Sequence, residues 1–333
     1  MKKGFAHFSI EDTFTWFESR GVPLKIEDDG RVFPKSNTSQ SIVDVLELEA
    51  KRLGVQLKTS TGIKAIQSTD AGFRLQTEAG DVSVSKVIVA SGGHPNLNAY
   101  DFLKLLNHKV INPIPSLFTF NTPQEPIREL MGISMGDALV KLEGTKLSYR
   151  GPILVTHWGI SGPAVLKLSA FGADWLHEKQ YTARAIIQWN AAIGEQDYAE
   201  QLGGYAQLHP NKKVVSNSLF GVPTRLWEHF CSKAEISEPQ LYGQLSKKLI
   251  NKLVQCLFCY SVGIQGKTTF KEEFVTCGGV DLKDIDAQTM ESKLVPGLHF
   301  AGEMMDVDGI TGGFNFQHAW TSGWLAAQHM GQI

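Results

Sequence analysis

The sequence predicts a mixed α/β fold in which a parallel sheet is assembled from distant pieces of chain on either side of a long insertion. Three observations predict it. The apolar run Val87-Ile-Val-Ala90 reads as a strand buried in a parallel sheet, and it enters Ser91-Gly-Gly93 directly, where a chain turns sharply or lets a ligand approach its backbone. A second apolar strand at residues 298–301 is followed by a glycine turn bearing acids, a second glycine-rich loop and a helix at residues 316–328. Between these two βα-type segments the chain carries β-type alternation and then helical periodicity of its own.

Taken in order, residues 10–20 have Phe14 and Phe17 at helical spacing with Gly21 as a stop. Asp28-Asp-Gly-Arg-Val-Phe-Pro34 is a turn and a brief extended piece. Residues 36–53 read as a helix capped by Ser39 or Ser41, with Ile42, Val45, Leu46 and Leu53 inward and Gly54 ending it; residues 55–59 follow as a buried strand. Alternation from residue 63 to residue 84 gives a β-meander that leads into the strand at 87–90.

Pro113 and Pro115 mark a crossing into short strands (residues 139–142, 153–156, 183–188) around one helix from Pro163 to about residue 177. Residues 189–260 are helical, with Lys247, Lys248 and Lys252 on a solvated face. Cys256-Leu-Phe-Cys259 comes late in a periodic run, so both cysteines are read as core rather than as a redox pair. Residues 267–280 return as strand and loop, ending in Thr276-Cys-Gly-Gly-Val280. The terminal helix carries Ala319, Gly323, Ala326 and Ala327 at helical spacing, small enough to lie close on a sheet.

With 333 residues, 42% of them hydrophobic and 20% charged, the chain has the composition of a globular protein of two or three domains. Lys+Arg of 32 against Asp+Glu of 34 gives no broad electrostatic pull toward nucleic acid, so a small-molecule substrate is expected. No apolar run has the length of a membrane span, the first residues lack the apolar core of a signal peptide, and four cysteines do not make a disulfide framework. A cytoplasmic protein is expected.

The motifs Gly30-Arg-Val-Phe-Pro34, Val87-Ile-Val-Ala-Ser-Gly-Gly93, Thr156-His-Trp-Gly-Ile-Ser-Gly-Pro163, Val275-Thr-Cys-Gly-Gly279 and Gly297-Leu-His-Phe-Ala-Gly-Glu-Met-Met-Asp-Val-Asp-Gly-Ile-Thr-Gly-Gly-Phe-Asn-Phe-Gln317 together resemble the BaiN/YhiN-like family of NAD(P)/FAD-dependent oxidoreductases, which includes aminoacetone oxidase-type flavoproteins. The resemblance covers nearly the whole chain, and its last motif is the specific one. It implies a Rossmann-type FAD domain at residues 1–113 and 281–333, an inserted β-barrel domain at 114–188 with a return at 263–280, and a helical subdomain at 189–262. By the same resemblance Ile63 contacts the adenine end, and Ser91, Gly92 and Gly93 line the cofactor. Gly302 and Asp306 hold the diphosphate and ribityl region, and Gly312, Gly313, Asn315 and Ala319 lie by the isoalloxazine.

One part of the family pattern is missing. The G-x-G-x-x-G unit that binds the ADP half of FAD has no counterpart, because none of the 32 glycines stands two positions from another. The expectation is therefore a chain that begins downstream of that unit and holds an incomplete Rossmann-type domain.

Three functional readings follow, of which the third, a flavoprotein acting on tRNA, shares the fold class but needs a basic surface that the composition does not show. In the first, FAD carries hydride or electrons, with NAD(P)H as a possible donor, and backbone N–H groups at residues 312–315 face the charge of reduced flavin. Glu303 belongs to the cofactor set, Asp306 has a better claim than the turn acid Asp308, and Glu303 and His318 flank the same pocket. His157, in an apolar strand that meets a glycine loop, is the candidate general acid or base; no metal ligand set is proposed. In the second reading the chain is a non-catalytic remnant that cannot retain FAD and acts through protein interaction.

Overall fold

The computed structural model describes residues 4–28, 30–268, 275–310 and 312–331. The chain forms two compact units, one from residues 1–114 and 275–333 and the other from residues 115–274.

The first unit opens with helix α1 (Ile10–Glu18). Ser9 caps it by accepting the Asp12 N–H, and the Asp12 carboxylate accepts the Ser9 N–H in return. Strands β1 (Leu24–Ile26) and β2 (Val32–Pro34) form an antiparallel hairpin. Helix α2 (Gln40–Arg52) starts after Ser39, whose side chain makes no capping bond. It ends as the sequence predicts at Gly54: the N–H groups of Gly54 and Val55 return to the carbonyls of Lys51 and Ala50. That cap takes the Val55 N–H, and residues 55–59 form an exposed irregular stretch instead of the expected buried strand. Of the expected inward face of α2 only Val45 is buried; Ile42 packs beside it, while Leu46 and Leu53 are exposed.

The meander is present as β3 (Ile63–Thr69), β4 (Gly72–Thr77) and β5 (Gly80–Val84), antiparallel in that order. Strand β6 (Val87–Val89) follows, then a 3-10 segment Leu97–Leu106 and strand β7 (Val110–Ser116). Pro113 and Pro115 lie inside β7, which belongs to a two-stranded sheet; an edge position tolerates their missing N–H groups.

The second unit is built on a seven-stranded sheet. Its strands are β8 (Thr119–Asn121), β9 (Ser134–Leu142), β10 (Ser148–Val155), β11 (Gly159–Ser161), β12 (Thr182–Gln188), β13 (Tyr260–Gln265) and β14 (Lys267–Thr268), in the order β13-β12-β9-β10-β11-β8-β14. The expected single helix after Pro163 is two, α3 (Pro163–Phe171) and α4 (Ala173–Glu178), because Gly172 breaks it. Helices α5 (Glu195–Leu208), α6 (Thr224–Lys233) and α7 (Lys247–Phe258) share one core with the sheet, centred on Trp189, Tyr198, Trp227, Phe230 and Tyr260. Cys256 sits in that core, its thiol pushed up to about 11 by burial, but Cys259 is exposed at the end of α7. Lys252 pairs with Glu235, and Lys247 and Lys248 are exposed.

The chain re-enters the first unit through β15 (Val275–Val280), which pairs with β7; residues 269–274 of the expected return segment lie outside the described residues. Strand β16 (Leu298–Phe300) runs parallel to β6, with Leu298 opposite Val87 and Phe300 opposite Val89. Helix α8 (Gly312–Gly331) closes the unit. Among the described residues no helix is long and apolar enough to cross a membrane.

Candidate functional site

In the first unit the ends of β6 and β16 lead into glycine loops, and strand β15 lies beside both. Glu303, in the 3-10 turn Gly302–Met304 after β16, joins the three segments. Its Oε1 accepts the Thr276 N–H of β15 at 3.2 Å, and its carboxylate also takes the backbone N–H of Gly93. Burial raises the Glu303 pKa above the usual carboxylate range; the two backbone donors oppose that, and neighbouring Asp308 adds to it. Gly93 is required by space: a Cβ there would stand 2.5 Å from Thr276 Oγ1 and 3.2 Å from the Glu303 carboxyl carbon. Thr276 Oγ1 is buried without a hydrogen-bond partner among the described residues.

A parallel bridge joins Val280 to Met305, and the Asp306 N–H donates to the Val280 carbonyl at 3.0 Å. Asp306 and Asp308 are both half-buried, so Asp308 is not the exposed turn acid the sequence suggested. The Gly302 N–H donates to Ser322 Oγ of α8 at 2.9 Å, and a Cβ on Gly302 would stand 3.4 Å from that of Ala319. Close approach of the small-residue helix face is therefore real at Ala319 and at buried Ala326, whereas Ala327 faces outward.

Helix α8 begins at Gly312, four residues before the expected start at 316, so Gly312, Gly313 and Asn315 occupy its first turn rather than a loop; Thr311 lies outside the described residues. The Asn315 side chain accepts the Gly309 N–H at 2.7 Å and ties the preceding loop to the helix. His318 is 1% exposed, and neither ring nitrogen has a hydrogen-bond partner among the described residues. Burial pulls its pKa down to about 4.

The structure thus groups Gly93, Gly302, Glu303, Asp306 and Ala319, with Gly312, Gly313 and Asn315 on the same helix as Ala319. Ser91 and Gly92 precede Gly93 in the loop, Ser91 exposed and Gly92 at φ +78°. Ile63, 40% exposed, stands at the start of β3 on the meander, away from the glycine loops in sequence and sheet. His157 lies in the second unit, and not within a strand: it is exposed at the tip of the β10–β11 hairpin.

Sequence reasoning missed the polar residues that hold these loops. Thr276 and Ser322 look like ordinary strand and helix residues until Gly93 and Gly302 come against them. Gln317 and Thr321 were missed too. Gln317 Nε2 donates to the Ser9 carbonyl and Thr321 Oγ1 to the Phe8 carbonyl, while Thr13 Oγ1 donates to Gln317 Oε1, binding the start of α1 to α8. The spacing of Gln317 and Thr321, one helical turn apart, was the available signal.

A Rossmann-type α/β unit with polar groups gathered where parallel strands end is the class of protein these features define. The chain belongs to the family described as HI0933-like protein Rossmann domain, which matches residues 1–329. It is 29% identical over 338 residues to a ribosomal RNA dihydrouridine synthase of Escherichia coli (strain K12), covering 99% of this chain and 81% of that protein. It is 28% identical over 339 residues to the protein of the same description from Haemophilus influenzae, covering 98% and 81%. It is 25% identical over 334 residues to a 3-dehydro-bile acid delta(4,6)-reductase of Clostridium scindens, covering 96% and 80%. Family and relatives place it in the NAD(P)/FAD-type oxidoreductase superfamily.

Proposed function

We propose that this chain is a flavin-dependent oxidoreductase that holds FAD at the glycine loops of the first unit and reduces a carbon–carbon double bond conjugated to a carbonyl, with NADH or NADPH as donor. The observation that carries the reading is the convergence of Gly93, Thr276 and the post-β16 turn on the carboxylate of Glu303, where the parallel strands end.

The residues fit the ribityl and flavin part of FAD. Glu303, Asp306 and Asp308 are acceptors suited to sugar hydroxyls, and the unpartnered Thr276 Oγ1 is a further polar contact. The first turn of α8, at Gly312, Gly313 and Asn315, offers N–H groups and a positive helix end to an electron-rich ring. Bound flavin would supply the hydride. The chain would orient the cofactor, and Glu303, whose raised pKa favours its protonated form, would hold a proton near the site.

The relatives support the substrate class. Dihydrouridine is uridine with one ring double bond saturated next to a carbonyl, and a delta(4,6)-reductase acting on a 3-dehydro acid saturates a bond of the same kind.

The test is flavin absorbance of the purified full chain supplied with FAD, followed by NAD(P)H oxidation in the presence of a conjugated enone. Glu303→Gln keeps an acceptor for Gly93 and Thr276 but removes the titrating proton. It is expected to keep FAD within about tenfold of the wild-type affinity while lowering turnover by roughly 100-fold, the scale of one general acid. A chain supplied with excess FAD that retains no bound flavin sinks the reading.

The exposed apolar residues Val43, Leu46 and Leu48 of α2, with Leu53 just beyond its end, favour a second reading in which the chain acts by protein interaction without retaining FAD. The same absorbance measurement separates the two.

A further inference from the structure

Strand β6 ends at Val89, and the chain reaches the 3-10 segment Leu97–Leu106 through the loop of residues 90–96. Gly92 bends that loop with φ +78°, and Pro95 keeps His94 out of helical backbone. Ala90, Ser91, His94, Pro95 and Asn96 are all exposed, so hydrogen bonds rather than packed side chains fix where the loop lies.

Two consecutive N–H groups of the loop are taken by side chains from different segments. Gly93 donates to the carboxylate of Glu303, in the turn after β16. His94 donates to Tyr100 Oη at 3.2 Å. Tyr100 is 2% exposed and shares the core of Leu103 and Phe300, so its hydroxyl is a fixed point beneath a surface loop. The second half of the loop closes on itself: the Asn96 N–H donates to His94 Nδ1 at 3.1 Å, and the Asn98 N–H to Asn96 Oδ1 at 3.0 Å. Those bonds shape the loop, and the bond to Tyr100 ties it to the core.

We propose that Tyr100 is a positioning residue for Glu303: its hydroxyl anchors the loop at His94 and so keeps the neighbouring Gly93 N–H on the Glu303 carboxylate. Its bearing on proton transfer rests on the flavin reading above, whereas the anchor itself does not. Gly93 has a glycine's freedom to swing, so its N–H stays in place only while its neighbour is held. The fit leaves no room for another residue to do this, because a Cβ on Gly93 would stand 2.5 Å from Thr276 Oγ1.

A donated N–H stabilises a carboxylate, so slackening the Gly93 bond should raise the Glu303 pKa beyond the rise that burial already gives it. Asp308, in the loop before α8, pushes the same way. Tyr100 is neutral, its phenol pushed up by burial and by the charge of Glu303, and His318, beside the Gly302 backbone, is neutral above about pH 4. None of these charges changes when Tyr100 loses its hydroxyl.

The test is a pH titration by NMR of the full chain without FAD, labelled with glycine carrying both carbonyl 13C and 15N. Carbonyl-to-amide correlation then reports only glycines that follow a glycine, namely Gly93, Gly204, Gly279 and Gly313. Gly93 is the one whose titration Glu303→Gln abolishes. Tyr100→Phe keeps the ring and its packing. It is expected to move the Gly93 midpoint to higher pH and to speed solvent exchange of that amide by roughly 2- to 13-fold, the factor that one net hydrogen bond represents. Leu103→Ala loosens the same core without touching the bond, and should lower stability while leaving the midpoint where it was.

An unmoved midpoint in Tyr100→Phe, an equal shift in Leu103→Ala, or no Glu303-dependent titration among these glycines overturns the anchor. A chain with the Tyr100-dependent midpoint that retains no FAD keeps the anchor and sinks the flavin reading. A chain that retains FAD while its midpoint ignores Tyr100 does the opposite.

Discussion

The two units bury different kinds of polar group. Among the described residues, and apart from the aromatic and cysteine side chains of its core, the buried polar side chains of residues 115–274 are the hydroxyls of Ser116, Thr119, Thr122, Ser161 and Ser169. The first unit buries His108, His299, His318, Asp281 and Gln317 as well as hydroxyls, and its parallel sheet has two strands against the seven of the second unit. Large aromatic side chains fill the core of the second unit to zero exposure at Trp189, Trp227, Tyr198 and Phe230. Titratable groups inside a fold cost stability unless matched, and they are retained where a site needs them. Both units are held by apolar packing, and the first, around its own core of Phe73, Leu298 and Phe300, also buries imidazoles that make part of its stability depend on pH.

The largest effect should come from breaking the packed core. Trp227 is fully buried, packs near the Phe220 ring, and donates its Nε1–H to the Val214 carbonyl at 2.8 Å. Trp227→Ala leaves a cavity and an unpaired carbonyl, with an expected loss of about 3–5 kcal/mol in chemical denaturation. Leu48→Ala on the exposed side of α2 in the first unit should change stability by less than about 0.5 kcal/mol. Comparable losses at the two positions would break the contrast.

The next effect sharpens it. His318 has a folded pKa of about 4 against an unfolded value of about 6.5. The unfolded chain therefore binds more protons between those values, and stability rises with pH across that window. The contribution is complete above about pH 6.5 and is lost as pH falls toward 4, on the order of 3 kcal/mol for a group this deeply buried. His318→Leu should flatten that part of the stability–pH curve, measured as the difference from wild type between pH 4 and 7. An unchanged slope would place the pH dependence elsewhere.

The legible and illegible parts of the chain divide along the same line. The apolar runs Val87–Val89 and Leu298–Phe300 were readable as strands of one parallel sheet because burial on both faces leaves an unbroken hydrophobic run, but their direct pairing with each other was not. The meander, Gly54 and Pro163 were readable because alternation, positive φ and a missing N–H are local properties. The strand at residues 55–59 failed because a helix cap took the Val55 N–H, and the early start of α8 failed because Gly312 and Gly313 read as loop. The polar knot at Glu303 was legible as a glycine-rich motif, but not as a geometry. Its partners Gly93 and Thr276 come from segments separated by more than half the chain, and no local pattern reports that they share one carboxylate.

The smallest effect concerns the last turn of α8, where His299 Nε2 and His329 Nδ1 lie 3.0 Å apart and Glu291 Oε2 stands 3.7 Å from His329 Nδ1. The three ligand atoms lie within 4.8 Å of one another, which invites a metal. The ring geometry argues otherwise. The ring centroids are 5.3 Å apart, which equals the 3.0 Å contact plus two centroid-to-nitrogen distances of about 1.15 Å each, so the two nitrogens point head-on along one line. Head-on lone pairs share a proton; ligands of one metal must instead converge on a third point at about 2.0–2.1 Å from each nitrogen. Lys86 adds to the case: it donates to the Met330 carbonyl, and its positive charge helps lower the His299 pKa, chiefly depressed by burial. His329→Ala should therefore cost about 0.5–1.5 kcal/mol, the net value of one hydrogen bond, measured by chemical denaturation. Zinc added to the wild-type chain should leave its melting temperature where it was. A zinc-dependent rise in wild type that His329→Ala abolishes would show that the rings turn to a common centre, and that this corner of the polar unit is a ligand set rather than a clasp.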